Sequence, residues 1–183
     1  TSPSKELPIK VIPTGNVVFG KGISSININT TKVLVYGEEA VLNDLQYIPL
    51  EIDVEGLDSN HQYKLELNKP VGIKYMSVNN VTVNVMLEKS SEKKLNNINI
   101  EYKNLNEAYD VQGVSESDIA VDVNLAGVKS AIERITADDV TAYLDLKGYG
   151  EGEHEVEVKV EGNDVKVNYV PMTKKVKIRI VKK

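Results

Sequence analysis

Ile52-Asp53-Val54-Glu55-Gly56-Leu57 and Leu144-Asp145-Leu146-Lys147-Gly148-Tyr149 are the same phrase, apolar-Asp-apolar-x-Gly-apolar, written twice in one chain. Each leads within a few residues to a His and an alternating run, His61-Gln62-Tyr63-Lys64-Leu65-Glu66-Leu67 and His154-Glu155-Val156-Glu157-Val158-Lys159-Val160. Each half then closes on a second alternating run, Val81–Val85 and Val176–Ile180. Self-similarity at a fixed period marks duplicated modules. The chain of 183 residues therefore reads as two copies, residues 5–87 and 94–182. The polar run from Glu88 through Lys93 between them is the expected linker, because it holds no apolar side chain.

Composition narrows the function classes. The chain holds no Cys and no Trp, one Phe and nine Tyr. Without Cys there is no disulfide, thiolate catalysis or Cys-bound zinc. The net charge of -5 is shared by both copies, the reverse of the basic balance that nucleic-acid binding needs. One local basic patch stands at Lys174, Lys175, Lys177, Arg179, Lys182 and Lys183, and reads as a solvated strand face with a basic tail. No apolar stretch reaches the length of a membrane-spanning helix, so this segment is expected not to insert. A start at Thr1-Ser2-Pro3-Ser4, without Met, reads as a trimmed fragment.

Period two dominates each copy. Ile98-Asn99-Ile100-Glu101-Tyr102 and Ile119-Ala120-Val121-Asp122-Val123 alternate, with Ile26-Asn27-Ile28 and Val33-Leu34-Val35 in the corresponding places of the first copy. Such runs, bounded by Gly, Pro, Asn and Asp, predict half-buried strands. One segment per copy shifts to helical spacing: Val41, Leu42, Leu45 and Ile48, then Val128, Ala131, Ile132 and Ile135. Each predicts a helix of about two turns, the first ended by Pro49. Val41, Leu45 and Ile48 align with Val128, Ile132 and Ile135, and the second copy carries extra residues around Ala137-Asp138-Asp139. The expected class is all-β, mostly antiparallel, with one short helix per module.

No candidate site outweighs its structural reading. Asp53 and Asp145 suit turns in which the carboxylate accepts backbone N–H groups and forms a hairpin, with Gly56 and Gly148 at positive φ. His61 and His154 open matching strands as exposed turn residues, since one His per module cannot build a His-based metal site. Glu133, Asp138 and Asp139, or Glu151, Glu153 and Glu155, lack the alternation of a calcium loop. Gly148-Tyr149-Gly150-Glu151-Gly152 precedes a strand rather than a helix and carries acidic residues, so it is a hairpin turn, not a phosphate loop. Tyr102, Tyr109, Tyr143, Tyr149 and Tyr169 read as half-buried sheet residues. No nucleophile motif occurs. The sequence assigns no catalytic, cofactor or metal-binding residue, and leaves the partner-binding surface unknown.

The order of these parts has a counterpart among known families. Tyr102-Lys103-Asn104-Leu105 leads to a short helix and the Asp motif. Gly152-Glu153-His154-Glu155-Val156-Glu157-Val158 and Tyr169-Val170-Pro171 follow before the last strand. This order resembles the YbbR-like repeat over nearly the whole chain. The first copy departs at Asn60-His61 and at Ser77, which stands about where Pro171 does. The resemblance implies small, mostly antiparallel β modules with crossed strands and no catalytic residues. It also implies an extracytoplasmic place on a bacterial membrane, behind an N-terminal transmembrane anchor. The partner it implies is a membrane diadenylate cyclase, whose cyclic di-AMP synthesis the protein would regulate. A cell-surface spacer binding wall polymer or a protein ligand is the alternative. A hydrolase and an RNA-binding module are weaker readings.

Overall fold

Where apolar and polar residues alternate, the chain is extended and buries every second side chain. Such strands dominate the computed structural model, which describes residues 3–183. Thr1 and Ser2, part of the expected trimmed start, lie outside the described residues. The chain divides into two compact units, residues 1–89 and 90–183, each with its own apolar core.

The first unit contains strands β1 (Ser4–Thr14), β2 (Lys21–Ile28) and β3 (Lys32–Gly37), helix α1 (Glu39–Asp44), then β4 (Ile48–Asp53), β5 (His61–Glu66) and β6 (Ile73–Met76). Strand β7 (Asn80–Lys103) starts in this unit and runs through Glu88–Lys93 into the second. One sheet has the order β4-β1-β3-β6. In the other, β2 and β5 both pair antiparallel with β7. β1 changes partner along its length. Leu7 faces Val33 in an antiparallel ladder, whereas Ile9 through Thr14 run parallel to Ile48 through Asp53.

The second unit repeats this plan. The later half of β7 is followed by β8 (Tyr109–Gly113), β9 (Ala120–Val128), α2 (Lys129–Ile132), β10 (Val140–Asp145), β11 (Gly152–Glu157), β12 (Lys159–Gly162), β13 (Asn168–Pro171) and β14 (Lys175–Lys182). Leu95 faces Val123 antiparallel, and Ile100 faces Ala142 in a parallel ladder, as Leu7 and β4 do in the first unit. A bulge at Asn97 (φ 56°) separates the two stretches and lengthens this strand relative to β1. β8 and β11 flank β14 as β2 and β5 flank β7. The fold is all-β, mostly antiparallel, with one short helix per module and one parallel pair in each.

This register corrects several expectations. The Asp-Gly turns and the Gly148–Gly152 turn are corners between sheets, not hairpins: β4 pairs with β1 and β5 with β7, while β10 pairs with β7 and β11 with β14. Ile26–Ile28 belong to β2, the counterpart of β8; the counterpart of Ile98–Tyr102 lies in β1. The helices are also shorter than two full turns. α1 stops five residues before Pro49, which sits inside β4 opposite Lys10. The claim of Ile48, Leu50 and Ile52 on the core makes that stretch strand, since all three are buried. Val128 is the last residue of β9 and the N-cap of α2, so its side chain belongs to the strand and the helix starts at Lys129.

The true helical equivalence is Leu42 with Ile132, both buried, and Leu45 with Ile135, three residues off the sequence alignment. A lysine marks it. Lys5 Nζ donates to Leu45 O at 2.8 Å and Leu42 O at 3.2 Å; Lys93 Nζ donates to Ile135 O at 2.7 Å and Glu133 O at 3.4 Å. Neither helix has a side-chain N-cap bond. Helices this short are held by packing and by such cations at their unsatisfied C-terminal carbonyls.

Candidate functional site

The duplicated Asp motif is a turn device in both units. Asp53 Oδ1 accepts the Glu55 N–H at 2.9 Å, and Asp145 Oδ1 accepts the Lys147 N–H at 3.1 Å. Leu57 N–H to Val54 O and Tyr149 N–H to Leu146 O close the turns, with Gly56 and Gly148 at φ 71° and 84°. Asp145 takes a further bond from Asn104 Nδ2, which first, and the Lys147 N–H second, holds its carboxyl below the usual range.

The histidines are not equivalent. His61 faces Val85 and His154 faces Ile178, so the residue matching His154 is Tyr63, opposite Val83. His154 Nε2 lies 2.8 Å from Gly150 O, so that nitrogen carries the proton it donates. Tyr63 donates its hydroxyl to Asp53 O at 2.7 Å. Both groups brace the corner turn preceding their strand.

The acidic candidates disperse. Asp139 Oδ2 accepts the N–H of Thr136 in a capping box, and Glu133 pairs with Lys129 four residues earlier. Glu153 pairs with Arg179, Glu151 with Lys182, and Glu155 stands opposite Lys177. Arg179 and Lys182 of the basic patch are thus ion-paired, and Lys177 has an acidic cross-strand neighbour. Among the described residues no group of three or more His, Asp or Glu is placed to hold a metal ion, and no helix is long and apolar enough to cross a membrane.

A relation invisible in the sequence ties the start of each unit to its end. Asn29 Oδ1 accepts the Thr82 N–H at 2.9 Å, and Asp118 Oδ1 accepts the Lys177 N–H at 2.9 Å. Thr82 and Lys177 hold the same place in β7 and β14. Asp118 also caps Ser115 and is held below the usual carboxylate range, first by the Lys177 N–H and then by the Ser115 hydroxyl.

The units differ most after β5 and β11. The run Glu155–Val160 looks like one strand, but it breaks at Val158, whose N–H donates to Lys174 O at 2.8 Å. The chain then changes sheets, and β12 pairs antiparallel with β10. In the first unit Leu67 N–H donates to Asn79 O in the same way, yet no strand follows to cover β4. The second unit's sheet runs β12-β10-β7-β9-β13, so β12 and β13 are its two edges. Asn163–Val167 fold them back toward each other. The Tyr169 ring lies against Gly162, where a Cβ would collide with it, and its hydroxyl bonds the Asp164 N–H and O.

At the other end the two edges part, opening a groove of about 730 Å³. Its walls include Tyr143, Val160, Val170 and Pro171, with Lys159, Lys174 and Lys175 at the rim against Glu157. Tyr143 is the exception among the five sequence-selected tyrosines, the other four packing on the core. Its ring carries Lys103 Nζ at 3.8 Å, a cation–π contact, while Lys103 also pairs with Glu161. Lys174 and Lys175 were visible as part of a basic run. Lys159, Val160 and Val170 were not, because nothing local marks the change of sheet.

Comparison with known proteins fits this doubled arrangement. A family described as YbbR-like protein matches residues 7–87 and 95–180. The CdaA regulatory protein CdaR of Bacillus subtilis (strain 168) is 27% identical over 163 residues, covering 88% of this chain and 34% of that protein. The chain thus spans about a third of that relative's length. Among solved structures, a YbbR-like domain from Listeria monocytogenes is 23% identical, covers 51% of this chain and 95% of its own, and has a TM-score of 0.42. A YbbR-like protein from Streptococcus pneumoniae TIGR4 is 14% identical over all of this chain and 96% of its own, at 0.39.

Proposed function

Because this chain belongs to the YbbR-like protein family, we propose that it forms tandem, non-catalytic modules of a membrane-anchored bacterial protein that binds and regulates a membrane diadenylate cyclase. The modules, residues 5–87 and 94–182, stand on the extracytoplasmic side of the membrane, behind an anchor supplied by the parent protein. The observation that carries this reading is the likeness, over most of the chain, to a relative named as the regulator of CdaA. The engagement of the recurring Asp residues in turns supports a scaffold role for them. The partner is a protein; neither nucleic acid nor a cofactor has a part in this function.

Co-expression of the full-length parent with the cyclase tests the proposal. Cyclic di-AMP output should change and the two proteins should co-purify from membranes. Unchanged output together with no complex would refute it. A second reading, a cell-surface spacer binding wall polymer, draws on the unpaired lysines at the groove rim. It predicts saturable binding of this two-module chain to wall fragments.

A further inference from the structure

Two sheet edges that face each other across an open groove are a docking slot for extended chain. Ladder alternation fixes which groups are free. In the antiparallel pairing of β12 with β10, Lys159 and Glu161 turn their backbone groups toward Tyr143 and Thr141, so Val160 points its N–H and C=O away from β10. On β13, Met172 N–H reaches Asp122 O at 2.8 Å, so Val170 faces β9 and Pro171 faces outward. Pro171 has no N–H to offer, which blunts that edge and leaves β12 as the pairing side. Side chains set the chemistry. Lys159, Lys174 and Lys175 form no ion pair among the described residues. The carboxylates near them are Glu157, opposite Lys175 in the register, and Asp145, on which the Lys159 charge acts. Three cations on one groove stand out in a unit that is acidic overall. Val170, 46% exposed, and the Tyr143 ring offer apolar surface between them.

We propose that this seam binds an extended acidic peptide segment of a protein partner. The peptide backbone pairs with the Val160 N–H and C=O, its carboxylates meet Lys159, Lys174 and Lys175, and an intervening apolar side chain lies on Val170, Pro171 and Tyr143. Strand addition of this kind draws affinity from main-chain bonds and specificity from alternate side chains. The slot exists only in the second module, because only there does β12 form. It does not depend on the cyclase being the partner.

The test uses the whole chain and three peptides: acetyl-Glu-Val-Glu-Val-Glu-amide, its Lys-for-Glu counterpart, and the acidic peptide with N-methylated central amides. The acidic peptide should bind saturably below about 1 mM, shifting the Val160 amide resonance and slowing its hydrogen exchange. The basic and N-methylated peptides should bind at least about tenfold more weakly. Lys159→Glu/Lys174→Glu/Lys175→Glu, all at exposed positions, should lose binding with the fold intact by circular dichroism; Val170→Glu, on the apolar wall, should do the same. Absence of saturable binding overturns the proposal. So does binding that ignores N-methylation, or that short-chain inorganic polyphosphate matches without moving Val160, since that describes a plain anion patch.

Discussion

The two modules share a framework and differ at one edge. β4 and β10 occupy the same place, each parallel to a strand that changes partner midway. β10 is covered by β12, while β4 ends its sheet. The two edges are protected differently. β4 places Pro49 where β10 has Thr141, removing an outward N–H, and adds the carboxylates of Glu51 and Asp53; proline and charge are the usual means of stopping edge-to-edge association. The second module achieves the same closure with extra chain, which also creates the groove. Duplication thus conserves turns, clips and core, while the difference in edges supplies a surface that one copy has and the other lacks.

Substitutions can strain this comparison, beginning in the cores. Ile52→Ala and Leu144→Ala, at equivalent fully buried positions, should each cost about 3 kcal/mol. Denaturant unfolding combined with hydrogen exchange should localise each loss to its own module. Gly162→Ala has no counterpart in the first module. Its Cβ would collide with the Tyr169 ring, and a loss of about 2 kcal/mol is expected, with Val160 and Val170 resonances displaced.

The Asn29/Asp118 clip gives a smaller and chemically sharper contrast. Either residue changed to Ala should cost about 1 kcal/mol at neutral pH. Asp118 titrates and Asn29 does not. The folded pKa of Asp118 lies below its unfolded value. Its contribution is therefore complete above the ordinary carboxylate pKa near 4 and is lost as pH falls through the lower folded value. Asp122 and Asp145, held down chiefly by the Asn97 N–H and by Asn104, act in the same direction in the same module. The second module should lose protection in acid, and Asp118→Asn should remove part of that loss while keeping the bond. Hydrogen exchange across an acid series reads this directly. Least perturbing to stability is Pro49→Thr, within about 0.5 kcal/mol. It restores the missing edge donor, so sedimentation should show increased self-association.

Much of this was legible in the sequence because the signals are local. The repeat, the half-buried strands and the Asp turns follow from alternation and from residues two or three apart, and the YbbR-like resemblance follows from their order. Pairing was not legible. Alternation looks the same in parallel and antiparallel ladders, so the corners passed for hairpins and the break at Val158 passed for continuous strand. The helices were drawn too long, and aligned three residues out of step between the copies, because Ile48 and Val128 are apolar for the sake of strands. Lys5 and Lys93, each two residues before a buried Leu, were available as a marker of the true offset. The Asn29 and Asp118 clips join residues more than fifty positions apart, and the groove draws on five strands, so neither has a local trace.

Amide hydrogen exchange at Glu51 and Tyr143 tests the central comparison most directly, since both N–H groups point to the outer edge of equivalent strands. Tyr143 should be strongly protected by β12, and Glu51 should exchange orders of magnitude faster. Equal protection at the two amides, or slower exchange at Glu51, would contradict the account.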